Sequence, residues 1–132
     1  MRTNMNKLLT LLLILPAASF AEEYTHILQP GEIKSFSIKA DSSKIVKSRI
    51  METDLDKFQK ECSNKNCISM TDTSNELSKQ TLESSYGVSK EMTPNSDGLI
   101  KFNVTHSYPN KINVRVQVFK DWEDLMEKQK NI

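Results

Sequence analysis

The chain is short of the residues that most cofactor sites and many folds need. Of 132 residues, three are glycine, four proline, two cysteine and one tryptophan. Gly31, Gly87 and Gly98 stand far apart, so no glycine-rich loop can close its amides on a phosphate; Walker-type and dinucleotide-type sites are excluded and no cofactor is expected. So little glycine and proline also excludes collagen and flexible-linker architectures. Charge of one sign is missing as well: 18 basic against 17 acidic side chains leave a formal +1, without the surplus that drives nucleic-acid binding. With two histidines and no Gly-x-Ser-x-Gly turn, a serine-hydrolase triad has no recognisable setting.

Long hydrophobic runs are absent too. The longest, Leu8 to Leu15, is broken by Pro16 and would rise about 12 Å as a helix, well short of a hydrocarbon core of roughly 30 Å. Arg2 and Lys7 precede it, and Ser19-Phe20-Ala21 puts small residues third and first before a cut after Ala21, the pattern of a removable export signal. Residues 1–21 read as that signal and 22–132 as a single domain. Without Arg2 and Lys7 the mature chain carries 16 basic and 17 acidic residues, a formal −1. No cysteine follows the apolar run, so a bacterial lipid attachment point is missing. The expectation is a periplasmic or secreted protein with no membrane anchor after cleavage.

An oxidising compartment decides how Cys62-Ser63-Asn64-Lys65-Asn66-Cys67 is read: a disulfide closing a local polar loop, contributing about 2 kcal/mol. A zinc site would need His26 and His106, which are not at finger spacing, and a redox pair ordinarily has two intervening residues. No metal is expected.

Period-two alternation marks strands. Tyr24 to Leu28 is the first; Gln29-Pro30-Gly31-Glu32 supplies a turn, so a hairpin with the strand over Ile33 to Ala40 is expected. Lys44 to Met51 is a third, with Val46 and Ile50 on one face and Ile45 and Met51 on the other. Leu55, Phe58 and Cys62 switch to helical spacing, with Thr53 as expected cap. Cys67 to Met70 is a short strand. The polar stretch from Thr71 to Gly98 is too long to be one loop in a compact domain, and strands are expected over Leu77 to Leu82 and Tyr86 to Met92. Ile100, Phe102, Val104 and then Ile112, Val114, Val116, Val118 alternate with polar residues, the pattern of a long antiparallel hairpin with one face on a core. Asp121 caps a last helix, with Trp122 expected across the sheet edge beside Leu125, Met126 and Gln129. The fold class is all-β: an antiparallel β-sandwich of about seven or eight strands, a short internal helix and a C-terminal helix. A small core invites a homodimer, with the final hairpin as the candidate open edge.

Chemistry-bearing constellations are sparse. Asp54, Asp56, Glu61, Glu123 and Asp124 read as solvated faces and helix-start acids, and not as a glycosidase pair, so no catalytic residue is assigned. Asn103-Val104-Thr105, a glycosylation pattern, reads as an outward strand face. What remains is recognition: on Thr71 to Gly98, Tyr86 is the candidate aromatic anchor, with Glu83, Lys90 and Glu91 as flanking partner contacts.

An export signal, a compact β-rich domain, the local Cys62 to Cys67 bridge and the lack of catalytic apparatus together resemble periplasmic immunity proteins that neutralise cell-wall-degrading effectors of type VI secretion. The resemblance covers architecture. It implies a non-enzymatic inhibitor that occludes the catalytic cleft of a secreted peptidoglycan hydrolase, as a homodimer. Ser84-Ser85-Tyr86-Gly87 is similar to the Ser-Gly-x-x-Tyr loop of lysozyme inhibitors with its order reversed. Gln29-Pro30-Gly31-Glu32, Thr53-Asp54-Leu55-Asp56 and the stretch from Gly98 to Phe119 resemble prepeptidase C-terminal domains. A carbohydrate-binding module is a further alternative, and it calls for more exposed aromatics than the nine in the chain provide.

Overall fold

The computed structural model describes residues 22–130; the export signal expected at 1–21 lies outside the described residues. The elements are β1 (Glu22–Leu28), β2 (Lys34–Lys39), β3 (Lys44–Met51), α1 (Leu55–Cys62), β4 (Ile68–Asp72), β5 (Gln80–Ser84), β6 (Gly87–Met92), β7 (Leu99–His106), β8 (Ile112–Phe119) and α2 (Trp122–Lys130). The strands form two four-stranded sheets, sheet A in the order β1-β8-β3-β6 and sheet B in the order β2-β7-β4-β5, and every pairing is antiparallel. The chain is an all-β sandwich with a short internal helix and a C-terminal helix. Of the connections between successive strands, all but β4 to β5 cross from one sheet to the other, the winding of a jelly roll.

That winding corrects two expected hairpins. β1 and β2 lie in different sheets, and so do β7 and β8. Alternation tells which side of a strand meets the core, but two strands that face each other across the core alternate just as two that pair side by side do. β7 sits between β2 and β4, and β8 between β1 and β3, so neither offers an open edge. The edges are β1 and β6 in sheet A and β2 and β5 in sheet B.

The inner faces are as the alternation indicates. Ile100, Phe102 and Val104 from β7 meet Ile112, Val114, Val116 and Val118 from β8, with Val46, Ile50, Ile68 and Met70 completing the centre, all buried. Each such side chain contributes roughly 1.5–3 kcal/mol. Polar groups that point inward are paired. Ser48 Oγ donates to Met70 Sδ at 3.1 Å, from one sheet to the other. His106, 2% exposed, bonds through Nε2 to the Leu28 carbonyl at 2.7 Å and accepts at Nδ1 from the Tyr108 amide at 3.1 Å, so its ring is the tautomer protonated on Nε2.

Local chemistry shifts several boundaries. Asp54, and not Thr53, caps α1, accepting from the Lys57 amide at 3.1 Å. The Cys62 and Cys67 sulfurs lie at bonding distance, with Cα atoms 5.8 Å apart, and both residues are buried. β5 starts later than expected because Asn75 turns the chain, its Oδ1 accepting from Leu77 N and its carbonyl from Ser78 N; Leu77 is 97% exposed. Asp121 does cap α2, accepting from Asp124 N at 2.8 Å. The contact expected of Trp122 is made instead by Leu125, which packs on Ile45 and Phe119 on the outer face of sheet A; Trp122 remains 47% exposed. Among the described residues no helix is long and apolar enough to cross a membrane.

Candidate functional site

The sandwich has two differently built ends. At one end lie α1, the β5–β6 corner and the β7–β8 crossover. At the other lie the β4–β5 and β6–β7 loops. The four residues proposed as partner contacts are divided between them and the strand faces.

Tyr86 stands at the first end, 39% exposed. Its carbonyl accepts from Ile50 N at 3.0 Å and its phenolic oxygen accepts from Arg49 Nη1 at 2.5 Å. The guanidinium carbon of Arg49 lies 5.7 Å from the ring centroid, and Phe58 of α1 meets the ring edge-on at 5.4 Å. Gly87 makes this packing possible: a Cβ there would lie 3.0 Å from Arg49 Cβ and 3.2 Å from the Ser48 carbonyl. Tyr86 is therefore neither a core residue nor a free loop side chain, but an aromatic fixed at its tip, face and edge with one side open to solvent.

Behind Tyr86, Phe58 stacks on Tyr108 at 6.5 Å and 15°. Tyr108, 1% exposed, donates its hydroxyl to Glu52 Oε2 at 2.5 Å. Burial first, then this bond and the Glu52 charge, push the phenol up to about 12. The same bond, with amide donation from Asp54, holds the Glu52 carboxyl below its usual range. The aromatic series Tyr86–Phe58–Tyr108 is thus anchored on a carboxylate at its inner end and a guanidinium at its outer end.

Lys90 and Glu91 belong to the opposite end. They help line a polar cleft of about 860 Å³ between the β4–β5 and β6–β7 loops, together with Asp72, Glu76, Lys79 and Asp97. From Tyr86 to Glu91 the strand runs about 16 Å, so the two stand at different ends of the sandwich. Lys90 points inward and bonds Asp72 Oδ2 at 3.2 Å and the Glu91 carbonyl at 3.1 Å; its ammonium is engaged within the protein. Glu83 is exposed on edge strand β5 and is not part of the cleft wall. The structure thus leaves Tyr86 as the organised member of the four and gives the polar segment a second role as cleft wall. The cleft lining contains no aromatic ring. Among the described residues, no group of three or more His, Cys, Asp or Glu side chains could hold a metal ion.

Sequence reasoning passed over Lys47, Arg49 and Arg115. They lie on the outer face of sheet A, where alternation reads as ordinary solvated surface. One signal was available: Arg49 and Arg115 are the only arginines after residue 21. The register makes them cross-strand partners.

No family model and no curated protein matches the sequence. Among solved structures the chain is similar to a Yersinia pseudotuberculosis-derived mitogen, at 9% identity and TM-score 0.47 over 77% of this chain and 86% of that one. It is also similar to a de novo designed double-stranded β-helix, at 10% identity and TM-score 0.43 over 74% and 97%. A third is the pre-peptidase C-terminal domain of a Bacillus anthracis collagenase, at 10% identity and TM-score 0.40 over 75% and 89%.

Proposed function

We propose that this protein is an exported inhibitor of the immunity type, which binds a secreted peptidoglycan-degrading hydrolase and blocks its catalytic cleft. The observation that carries the reading is how Tyr86 is held. A half-exposed tyrosine fixed by Arg49 and Phe58 loses little side-chain freedom when a partner closes over it, which is the property of an anchor in a protein interface. Arg49 beside it, with Arg115 next to Arg49, suits a cleft whose working groups are carboxylates. Such blocking requires shape and charge only, with no reaction at the inhibitor.

The Cys62–Cys67 pair and the signal-like segment favour the periplasm or extracellular space as the place of action. A homodimer would pair through β1, β2, β5 or β6, the strands with an open side. The test is inhibition: the purified protein is added to secreted peptidoglycan hydrolases, beginning with any whose gene adjoins its own, and peptidoglycan turnover is followed. Stoichiometric loss of turnover is expected. Turnover of peptidoglycan by the protein itself, or sugar binding with no protein partner, would defeat the reading.

A further inference from the structure

We propose that the outer face of sheet A holds an oxyanion-binding site in which Arg49 and Arg115 grip the anion and Lys47 supplies a third positive charge. The site deepens the inhibitor reading, which sets the same Arg49 and Arg115 against a partner's carboxylates; anion binding is measurable without the hydrolase, so either can fail alone.

The placement follows from the register. Arg49 of β3 lies directly opposite Arg115 of β8, and Lys47 lies opposite Gln117, one step along the same face. Directly opposed side chains start about 4.5–5.5 Å apart at Cβ, and like charges in that relation oppose folding. The surroundings leave the charge poorly compensated. Arg49 and Lys47 have no carboxylate within ion-pair reach among the described residues, while Arg115 Nε has Glu23 at 3.6 Å, beyond hydrogen-bond distance. Glu23 is also shared, accepting from Gln117 Nε2 at 3.2 Å. Glu91, the acid on the neighbouring edge strand, is opposite Ile45 and diagonal to Lys47, with no ion pair between them. Three cations therefore meet one partial counter-charge.

Two further observations point to a missing acceptor. The Nε groups of both Arg49 and Arg115 are buried without a hydrogen-bond partner, an arrangement that costs free energy unless an acceptor arrives. Burial first lowers the pKa of Lys47, and the like charge of Arg49 lowers it further, the second being what an anion at this place would offset. Arg49 Nη1 is taken by the Tyr86 hydroxyl, so an oxyanion set over the pair would accept from Arg49 Nη2 and from the Arg115 guanidinium, and as the side chains turn toward it the Nε hydrogens gain a partner. Gln117 and Ser89, which flank Lys47 in the register, supply neutral donors at the rim. The chemistry suits a carboxylate or a phosphate, which present two or more oxygens to a guanidinium fork.

The arginine Nε–Hε resonances of the purified protein report directly on the groups concerned. The protein is titrated with sodium acetate, sodium phosphate and a tetraglutamate peptide, ionic strength being held constant with chloride. Saturable shifts of the Arg49 and Arg115 Nε–Hε signals with any of the three are expected. Tighter saturation by the peptide would identify carboxylates of a protein partner as the source, and tighter saturation by phosphate a free tetrahedral anion. Arg115→Gln should weaken binding about tenfold or more. Arg115→Lys keeps the charge and the fold but removes the fork, and should weaken it as well. Shifts that grow linearly without saturation, or that a chloride titration reproduces, would overturn the proposal, as would saturable binding unaffected by Arg115→Lys in a variant whose amide spectrum shows a native fold.

Discussion

Asp72 and Lys90 belong to different sheets, yet their charged groups meet at 3.2 Å at the floor of the polar cleft, with side chains 15% and 20% exposed. Both occupy inward-facing strand positions at which apolar residues would be expected, Asp72 following Ile68 and Met70 on β4 and Lys90 lying between Val88 and Met92 on β6. The pair closes the sandwich where strands β5 and β6 separate.

Removing one member leaves the other partly buried and unpaired. Lys90→Met and Asp72→Asn should each lower stability by roughly 1–3 kcal/mol, less than a fully buried pair because water still reaches the cleft. The double variant should cost less than the sum of the two. Urea unfolding of the three proteins gives the coupling; strict additivity would show that the two charges do not interact.

Gly87 is predicted to be required for space and not for backbone freedom, since its φ is not positive. Gly87→Ala drives a methyl into Arg49 Cβ and the Ser48 carbonyl, which should cost roughly 1–3 kcal/mol and loosen Tyr86. The check is the melting temperature together with Tyr86 ring shifts. A variant as stable as the parent, with unchanged shifts, would show that β3 and β6 have slack at this point.

The alternation of Ile100 to Val104 and Ile112 to Val118 made the strands and their buried faces readable, and Asp121 marked the last helix. Their pairing was not readable, because facing strands and neighbouring strands carry the same alternation. Leu77 misled because an apolar residue in a polar stretch suggests a strand, whereas Asn75 had already committed the backbone to a turn. Lys90 and Asp72 hid the inward faces of β6 and β4 by placing charges there. The arginine pair could not be placed at all without the register, since 66 positions separate Arg49 from Arg115.

Acid should act through Glu52. Its pKa is lowered in the folded protein, so its contribution to stability is present above the unfolded carboxylate range, near pH 4, and is lost as pH falls through the folded value. Tyr108→Phe removes the leading cause, and the stability difference between parent and variant should therefore shrink from pH 7 toward pH 3. On the alkaline side Tyr108, raised to about 12, stabilises fully below about pH 10 and loses that effect as pH rises toward 12. Chemical denaturation across pH tests both limbs. A parent-to-variant difference that stays flat between pH 3 and 7 would remove Glu52 from the account.

The affinity of Tyr86→Ala for a secreted peptidoglycan hydrolase that the parent protein inhibits, with the melting temperature taken on the same sample, decides whether Tyr86 is a rigid partner-binding anchor. The variant should lose about 2 kcal/mol of binding, close to thirtyfold in Kd, while melting within a few degrees of the parent because the ring is only half buried. Unchanged affinity in a folded variant would contradict the account, and so would a loss of binding accompanied by a collapse in melting temperature, which would make Tyr86 a structural residue.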